Sequence, residues 1–319
     1  MATNSLLEFE KPIQDLRDQV ENLKSTSSES DIDISEEINK LNKKIKDLSQ
    51  NIYSNLTASQ IMQIARHPDR PHTIDYINYM FTDFMELHGD RHYADDQSLI
   101  TGLAKFDQTS VVVIGHQKGN NTKENIKKNF GMSKPEGYRK ALKAMKLAEK
   151  FSLPVITFVD TPGAYPGIGA EERNQSEAIG KNLYEMSALR VPIVVNIIGE
   201  GGSGGALAIA VGDVVNMLEF AIYSVITPEG CASILWKDAT KASLAAERLA
   251  ITSNKLYAFN LVDAIIKEPV HGGHNNPHEV LENVKKTIKK NLQQLQKLEV
   301  DELLKRRFDK IMNYGSFKV

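Results

Sequence analysis

Between Gly199 and Gly205 the chain places five glycines in seven positions, Gly199-Glu200-Gly201-Gly202-Ser203-Gly204-Gly205. Glycine loses more backbone freedom on folding than any other residue, so such a run weakens a regular element unless a special conformation is required there. An apolar run, Val191 to Ile198, leads in, and a small-residue apolar segment, Ala206 to Val211, leads out. The pattern predicts a buried strand, a glycine turn and the start of a helix. Such a turn lets backbone approach a ligand closely, and a helix start presents N–H groups without partners. We read it as a place where backbone amides hold a developing negative charge.

The motif alone leaves three readings open. Gly199-x-Gly201-x-x-Gly204 fits the dinucleotide fingerprint, with Glu219 about twenty residues after its start. Gly201-x-Ser203-x-Gly205 fits the nucleophile elbow of serine hydrolases, and His271, His274 and His278 follow it as possible bases. A tight turn without ligand is the third. A phosphate P-loop is excluded, because no Gly-Lys-Ser/Thr follows.

Composition narrows the setting. The 319 residues suffice for one large domain or two small ones, and the net charge of −2 gives no nucleic-acid footprint. The single cysteine, Cys231, excludes an internal disulfide framework and a cysteine zinc knuckle within the chain, and fits a reducing, cytoplasmic setting. Met1 to Glu10 lacks an apolar signal core, and no window approaches the roughly eighteen apolar residues of a membrane span.

In order, residues 6–52 predict a helical hairpin. Phe9, Ile13, Leu16, Val20 and Leu23 form one heptad seam and Ile34, Ile38, Leu41, Ile45, Leu48 and Ile52 another, around a polar break at 25–31. Packing within the chain is the simpler role, a partner-docking arm the sharper one. We set this arm at 1–56, the main domain at 57–298 and a C-terminal helix at 299–319. Thr57 or Ser59 caps a short helix to Ala65, and Thr73 starts a helix bearing Ile77, Met80, Phe81, Phe84 and Leu87. His88, Asp90 and His92 do not match zinc-motif spacing and read as a polar helix exit. Strands are expected at 100–106 and 110–116 around Asp107-Gln108. A basic loop follows, with Lys118, Lys123, Lys127 and Lys128; Lys118 and Lys123 are candidate contacts for a coenzyme phosphate. After a helix from Pro135 to Lys150 comes a second strand-loop-helix unit: strand 154–160, the loop Thr161 to Gly167, and helix 171–189. Strands at 214–218, 222–226 and 261–266 and helices through Trp236, at 242–250, 277–298 and 301–312 complete the chain. Parallel strands joined this way need crossover helices, which suits an α/β fold, either an open doubly wound sheet or a superhelical stack.

Several long strings carry a specific likeness: Asp160-Thr161-Pro162-Gly163-Ala164-Tyr165-Pro166-Gly167, Gly169-Ala170-Glu171-Glu172-Arg173, Ile198 to Leu207, Tyr223 to Ala232, Glu86 to Arg91, and Asn129-Phe130-Gly131-Met132 with Pro135 to Ala141. With them the chain, from about Phe9 to about Gly315, resembles the alpha subunits of bacterial multi-subunit acetyl-coenzyme A carboxylase carboxyltransferases. Asn174 departs from the family's usual glycine, and asparagine tolerates positive φ. Gly180 departs too, inside a predicted helix.

The resemblance implies a crotonase-like superhelix of strand-strand-helix repeats and a complex of two alpha and two beta subunits, with active sites between unlike chains. It implies transfer of a carboxyl group from carboxybiotin, borne by a separate biotin carboxyl carrier protein, to acetyl-CoA, giving malonyl-CoA for fatty-acid synthesis. Zinc is expected in the beta subunit, and ATP is used by the biotin carboxylase; this chain has no Met-Lys-Met biotinylation site. The amides of Gly204 and Gly205 would face the biotin carbonyl, with Gly202 in the same pocket; Gly163, Ala164 and Tyr165, which end the neighbouring strand, either line that pocket or only shape their loop. Glu200 and Ser203 would be turn residues or polar liners. A serine hydrolase using Ser203 and a non-catalytic structural subunit are the alternatives.

Overall fold

The apolar runs of the sequence become the strands of one sheet in the computed structural model, which describes residues 6–28 and 34–315. These residues contain eight strands: β1 (Thr82–Glu86), β2 (Leu99–Phe106), β3 (Thr109–His116), β4 (Val155–Thr161), β5 (Ile193–Gly202), β6 (Val214–Leu218), β7 (Ile222–Ser224) and β8 (Ala264–Ile266). The order is β1-β2-β3-β4-β5-β6-β8, antiparallel for the first three strands and parallel from β3 onward. Asp107-Gln108 makes the predicted two-residue turn between β2 and β3. Every residue of β4 and β5 is buried, as expected of parallel strands covered on both faces.

Strand β5 changes partners along its length. Val194 to Ile197 pair with β6, whereas Glu200 to Gly202 pair with β7. An open doubly wound sheet keeps one neighbour on each side of a strand. Here the glycine run at the end of β5 takes β7 as a partner in addition to β6, a branch of the same sheet that the superhelical alternative accommodates.

The helices follow in chain order. Helices α1 (Lys11–Ser28) and α2 (Ser35–Ser54) form the predicted hairpin, and Ile13, Leu16 and Val20 are buried. Part of the predicted polar break lies outside the described residues. The hairpin packs on the chain's own body: the Tyr53 hydroxyl donates to the Glu10 carboxylate and to the His271 carbonyl, and its ring meets Phe220 edge-on. Thr57 is the cap of α3 (Ala58–Ala65), accepting from the Gln60 amide at 3.3 Å.

The helix expected to run from Thr73 to Leu87 is shorter. Helix α4 (Thr73–Met80) stops at Phe81, which is extended, and Phe84 and Leu87 belong to the edge-strand region instead. Asp83 has φ +53 and the register shifts between Thr82 and Met85, so a bulge aims Phe84 over Gly102, where a Cβ would lie 2.4 Å from its ring. Apolar spacing cannot separate a helix from a helix followed by a bulged strand.

Helix α5 (Thr122–Lys127) forms within the predicted basic loop, capped by Asn121. Helix α6 (Pro135–Lys150) matches expectation. The expected helix 171–189 is broken into α7 (Ile168–Glu172) and α8 (Gln175–Ala188) by Asn174 at φ 64, so asparagine does adopt the left-handed turn. A Cβ at Gly180, within α8, would meet nothing within 4 Å. Helices α9 (Ser203–Leu207), α10 (Pro228–Trp236), α11 (Ala242–Leu249) and α12 (Ser253–Ala258) follow, the last unforeseen. Strands β7 and β8 are three residues each, shorter than predicted. Helices α13 (Pro277–Leu295) and α14 (Val300–Met312) close the chain.

Arg307 anchors α14. It is wholly buried, donates to the Asp213 carboxylate at 2.7 and 2.9 Å, and donates to the carbonyls of Met186, Leu189 and Val191. Arg307→Met leaves Asp213 buried without its counter-ion and is expected to cost about 3–5 kcal/mol. A lowered denaturant midpoint with an unchanged slope measures it.

Candidate active site

Two loops meet at the ends of β4 and β5. Thr161 holds the first: its hydroxyl donates to the Gly163 carbonyl at 2.7 Å and accepts the Gly163 amide at 3.1 Å. The second loop packs on it backbone to backbone. A Cβ at Gly202 would fall 2.2 Å from the Pro162 oxygen, and one at Gly205 would fall 2.5 Å from the Ala164 nitrogen. Glycine is therefore required at both positions by close approach. The structure thus brings Gly163 and Ala164 against Gly202 and Gly205.

Ser203 turns the chain between strand and helix with φ +49, an uncommon conformation for a non-glycine residue. Helix α9 starts there without a side-chain cap, so its first N–H groups lack intrahelical partners. Gly204 faces outward: a Cβ on it would have Ile179, at 3.6 Å, as its nearest neighbour. Beside it opens a cavity of about 540 Å³, lined by Leu183, Leu207, Tyr223, Val225, Ile311 and Tyr314 among others. An apolar hollow with backbone donors at its edge can take a ring system carrying one polar carbonyl.

Behind the glycine turn lies an ionic cluster built on two buried carboxylates, Asp160 and Glu200. The Lys118 ammonium is 2.7 Å from Asp160 Oδ1 and 2.9 Å from Glu200 Oε2. Arg66 donates through Nε to Glu200 Oε1 at 2.6 Å and through Nη1 to Glu229 Oε1 at 2.6 Å. Burial pushes the Asp160 carboxyl up, but Lys118 and His72 more than reverse this and hold it well below the usual carboxylate range. Burial likewise acts against ionised Glu200, and Lys118 and Arg66 together hold its carboxyl low. The sequence left Asp160 without a role and Glu200 as a turn residue or polar liner. Acidic residues closing otherwise apolar strands were the available signal, since a charge is rarely buried without a partner.

The remaining candidates fall as follows. Tyr165 is half-buried, with its amide on the Ser133 carbonyl and its ring under Lys134 at 5.3 Å. Lys123 is exposed on α5, whereas the Lys118 ammonium is taken up by two carboxylates. The three histidines of the nucleophile reading are engaged elsewhere. His271 meets the Tyr53 ring, His274 lies 3.3 Å from Glu10, and His278 lies 3.4 Å from the Tyr79 hydroxyl. Glu219, at dinucleotide spacing, pairs with Lys267 and accepts the Glu268 amide. Asp90 organises its own loop, accepting the amides of His92, Tyr93 and Ala94, and pairs with Arg139 at 2.8 Å. Among the described residues, no group of three or more His, Cys, Asp or Glu side chains is placed to hold a metal ion, and no helix is long and apolar enough to cross a membrane.

Comparison with known proteins places this architecture. The fold matches the transcarboxylase 12S structure, with a TM-score of 0.59 at 19% identity, covering 75% of this chain and 44% of that one. It also matches the beta subunit of geranyl-CoA carboxylase from P. aeruginosa, with a TM-score of 0.56 at 13% identity, covering 83% and 48%. The fold is thus that of the crotonase-like carboxyltransferases. The profile of the family described as acetyl co-enzyme A carboxylase carboxyltransferase-like matches residues 6–315. The acetyl-coenzyme A carboxylase carboxyl transferase subunit alpha of Neisseria gonorrhoeae (strain NCCP11945) is 60% identical over 311 residues, 98% of each chain. The chain belongs to this family of carboxyltransferase alpha subunits. Membership makes it an enzyme subunit for carboxyl transfer, tied to biotin chemistry and to a beta partner.

The glycine contacts give a contrast that can be measured. Gly202→Ala forces a methyl into the Pro162 carbonyl and is expected to destabilise the chain by about 1–3 kcal/mol. Gly204→Ala places its methyl in ordinary contact with Ile179, at 3.6 Å, and should change stability by less than about 0.5 kcal/mol. Paired urea-denaturation curves separate the two.

Proposed function

We propose that the turn after β5 is the alpha-subunit half of the carboxyltransferase site, and that the amides of Gly204 and Gly205 stabilise negative charge on the biotin carbonyl oxygen. Carboxybiotin, delivered by a separate carrier protein, supplies the transferable carboxyl group. The observation that carries this reading is the outward-facing Gly204 at the start of α9, bordering an apolar cavity of about 540 Å³. A biotin ring fits that chemistry, with Leu207, Tyr223 and Val225 against its apolar body and the helix-start amides at its polar end.

The chain's own contribution is fixed polarity without a titratable group. Backbone donors held by the Gly202–Pro162 and Gly205–Ala164 contacts need no reorganisation when charge develops. Gly163 and Ala164 form the floor of the turn, and Tyr165 extends it. The acceptor is acetyl-CoA and the product malonyl-CoA, for fatty-acid synthesis in the cytoplasm. The thioester of acetyl-CoA would find its own donors on the zinc-bearing beta subunit of an α2β2 complex, and ATP would be consumed by the biotin carboxylase. Lys123, exposed on α5, is the available member of the two proposed phosphate contacts.

Carboxyl transfer by the chain with its zinc-bearing partner, and by each alone, tests the division of labour: turnover is expected only from the pair. Gly204→Pro should lower kcat by about 10²–10³ or more while the complex still assembles, the loss typical of one missing oxyanion donor. Normal turnover by that complex would refute the assignment. Ser203→Ala should retain most activity; a thousandfold loss would instead favour a nucleophilic serine.

A further inference from the structure

Lys118 has a geometry that a phosphate contact would not need. It lies two residues after β3, is half-buried with its side chain 14% exposed, and touches the ends of two other strands. Asp160 lies near the end of β4, two residues before Pro162, and Glu200 lies on β5, two residues before Gly202. Asp160 Oδ1 receives both the Lys118 ammonium, at 2.7 Å, and the Glu200 amide, at 3.0 Å. The second carboxylate, Glu200 Oε2, receives the same ammonium at 2.9 Å. Backbone has been kept bare to admit these groups. A Cβ at Gly199 would lie 2.4 Å from Asp160 Oδ1, and one at Gly131 would lie 2.9 Å from the Asp160 carbonyl oxygen and 3.1 Å from Lys118 Cγ. The ion pair therefore sits one step behind the point where the Pro162 and Gly202 backbones touch.

We propose that Lys118 is a positioning residue for carboxyl transfer: by neutralising Asp160 and Glu200 together, it lets the two strand ends close and so aims the amides of Gly204 and Gly205. The inference rests on the assignment of those amides made above.

The charges around Asp160 state what removing the ammonium does. The His72 ring nitrogen lies 3.5 Å from its second oxygen, and Arg70 is committed to Glu268 in a buried pair at 2.7 Å. Tyr76 and His116 are buried in the same shell and interact with it electrostatically, and both are neutral. Glu200 keeps Arg66 when Lys118 is lost. Asp160 then faces Glu200 with its main counter-charge gone, and burial, the largest influence on it, pushes its carboxyl up. A protonated Asp160 still accepts the Glu200 amide, so the loops keep their spacing at low pH. An ionised one repels Glu200 in a low-dielectric setting, and the spacing is lost as pH rises through the raised value.

The test is steady-state carboxyl transfer by the complex of this chain with its beta partner, across a range of pH. Lys118→Met is expected to lower kcat about 30-fold near neutral pH with KM changed less than about twofold, and to lose further activity as pH rises where the wild type does not. Lys118→Met combined with Asp160→Asn removes the opposed pair together; it should return kcat to within about fivefold of wild type and abolish the added pH dependence. An unchanged kcat in Lys118→Met overturns the proposal. So does a loss whose pH profile parallels the wild type and which the double variant does not relieve. If the single variant does not assemble, the double variant decides: an assembled, active complex supports charge neutralisation, and an assembled complex as impaired as about 30-fold overturns it. Gly204→Pro run alongside keeps the two assignments apart. Full activity there removes the amide assignment and the positioning role with it, whereas a large loss there beside an unchanged kcat in Lys118→Met removes the positioning role alone.

Discussion

One ammonium group reaches the ends of three strands. Lys118 arrives from β3, Asp160 from β4 and Glu200 from β5, and the two carboxylates are buried. Two carboxylates cannot stay ionised side by side in such a place unless a cation offsets their desolvation and their repulsion. The cluster extends through Arg66, at the end of α3, to Glu229, in the first turn of α10. Elements distant in sequence are thus tied to the same few atoms, and the glycine turn is built on that foundation.

What stands on it has little side-chain chemistry of its own. Gly202, Gly204 and Gly205 contribute backbone, and Ser203 contributes a left-handed turn. Catalysis by fixed dipoles suits a reaction in which negative charge passes between two acceptors, because amides neither gain nor lose protons as the charge moves. The apolar cavity beside Gly204 adds a second element, since exclusion of water strengthens each dipole. Family membership supplies the reaction class, and the geometry supplies a reason for a site poor in acids and bases.

Much of this was legible in the sequence because the signals are local. Strand β5 and the glycine turn followed from an apolar run meeting glycines, and the cap at Thr57 and the helix from Pro135 to Lys150 followed from end signals. Asn174 was legible for the same reason, as a residue whose own backbone preference sets the turn. The misreadings share a cause. The helix extended past Met80 because Phe84 and Leu87 kept an apolar spacing, and only the bulge at Asp83 and the pairing with Gly102 assign that segment to the sheet edge. Lys118 looked like a free basic residue because its partners are 42 and 82 positions away.

The sequence by itself determined most of the elements and the family: an apolar run, a glycine turn and long specific strings are properties of neighbouring residues. Tertiary structure alone decided which atoms meet. It set the Gly202 backbone on Pro162, placed Gly205 on Ala164, engaged His271, His274 and His278 with other partners, and set Lys118 between two buried acids. The physical reason is range. Backbone preference and apolar periodicity act over a few residues, whereas close backbone packing and the pairing of buried charges depend on strand order, which brings β3, β4 and β5 side by side.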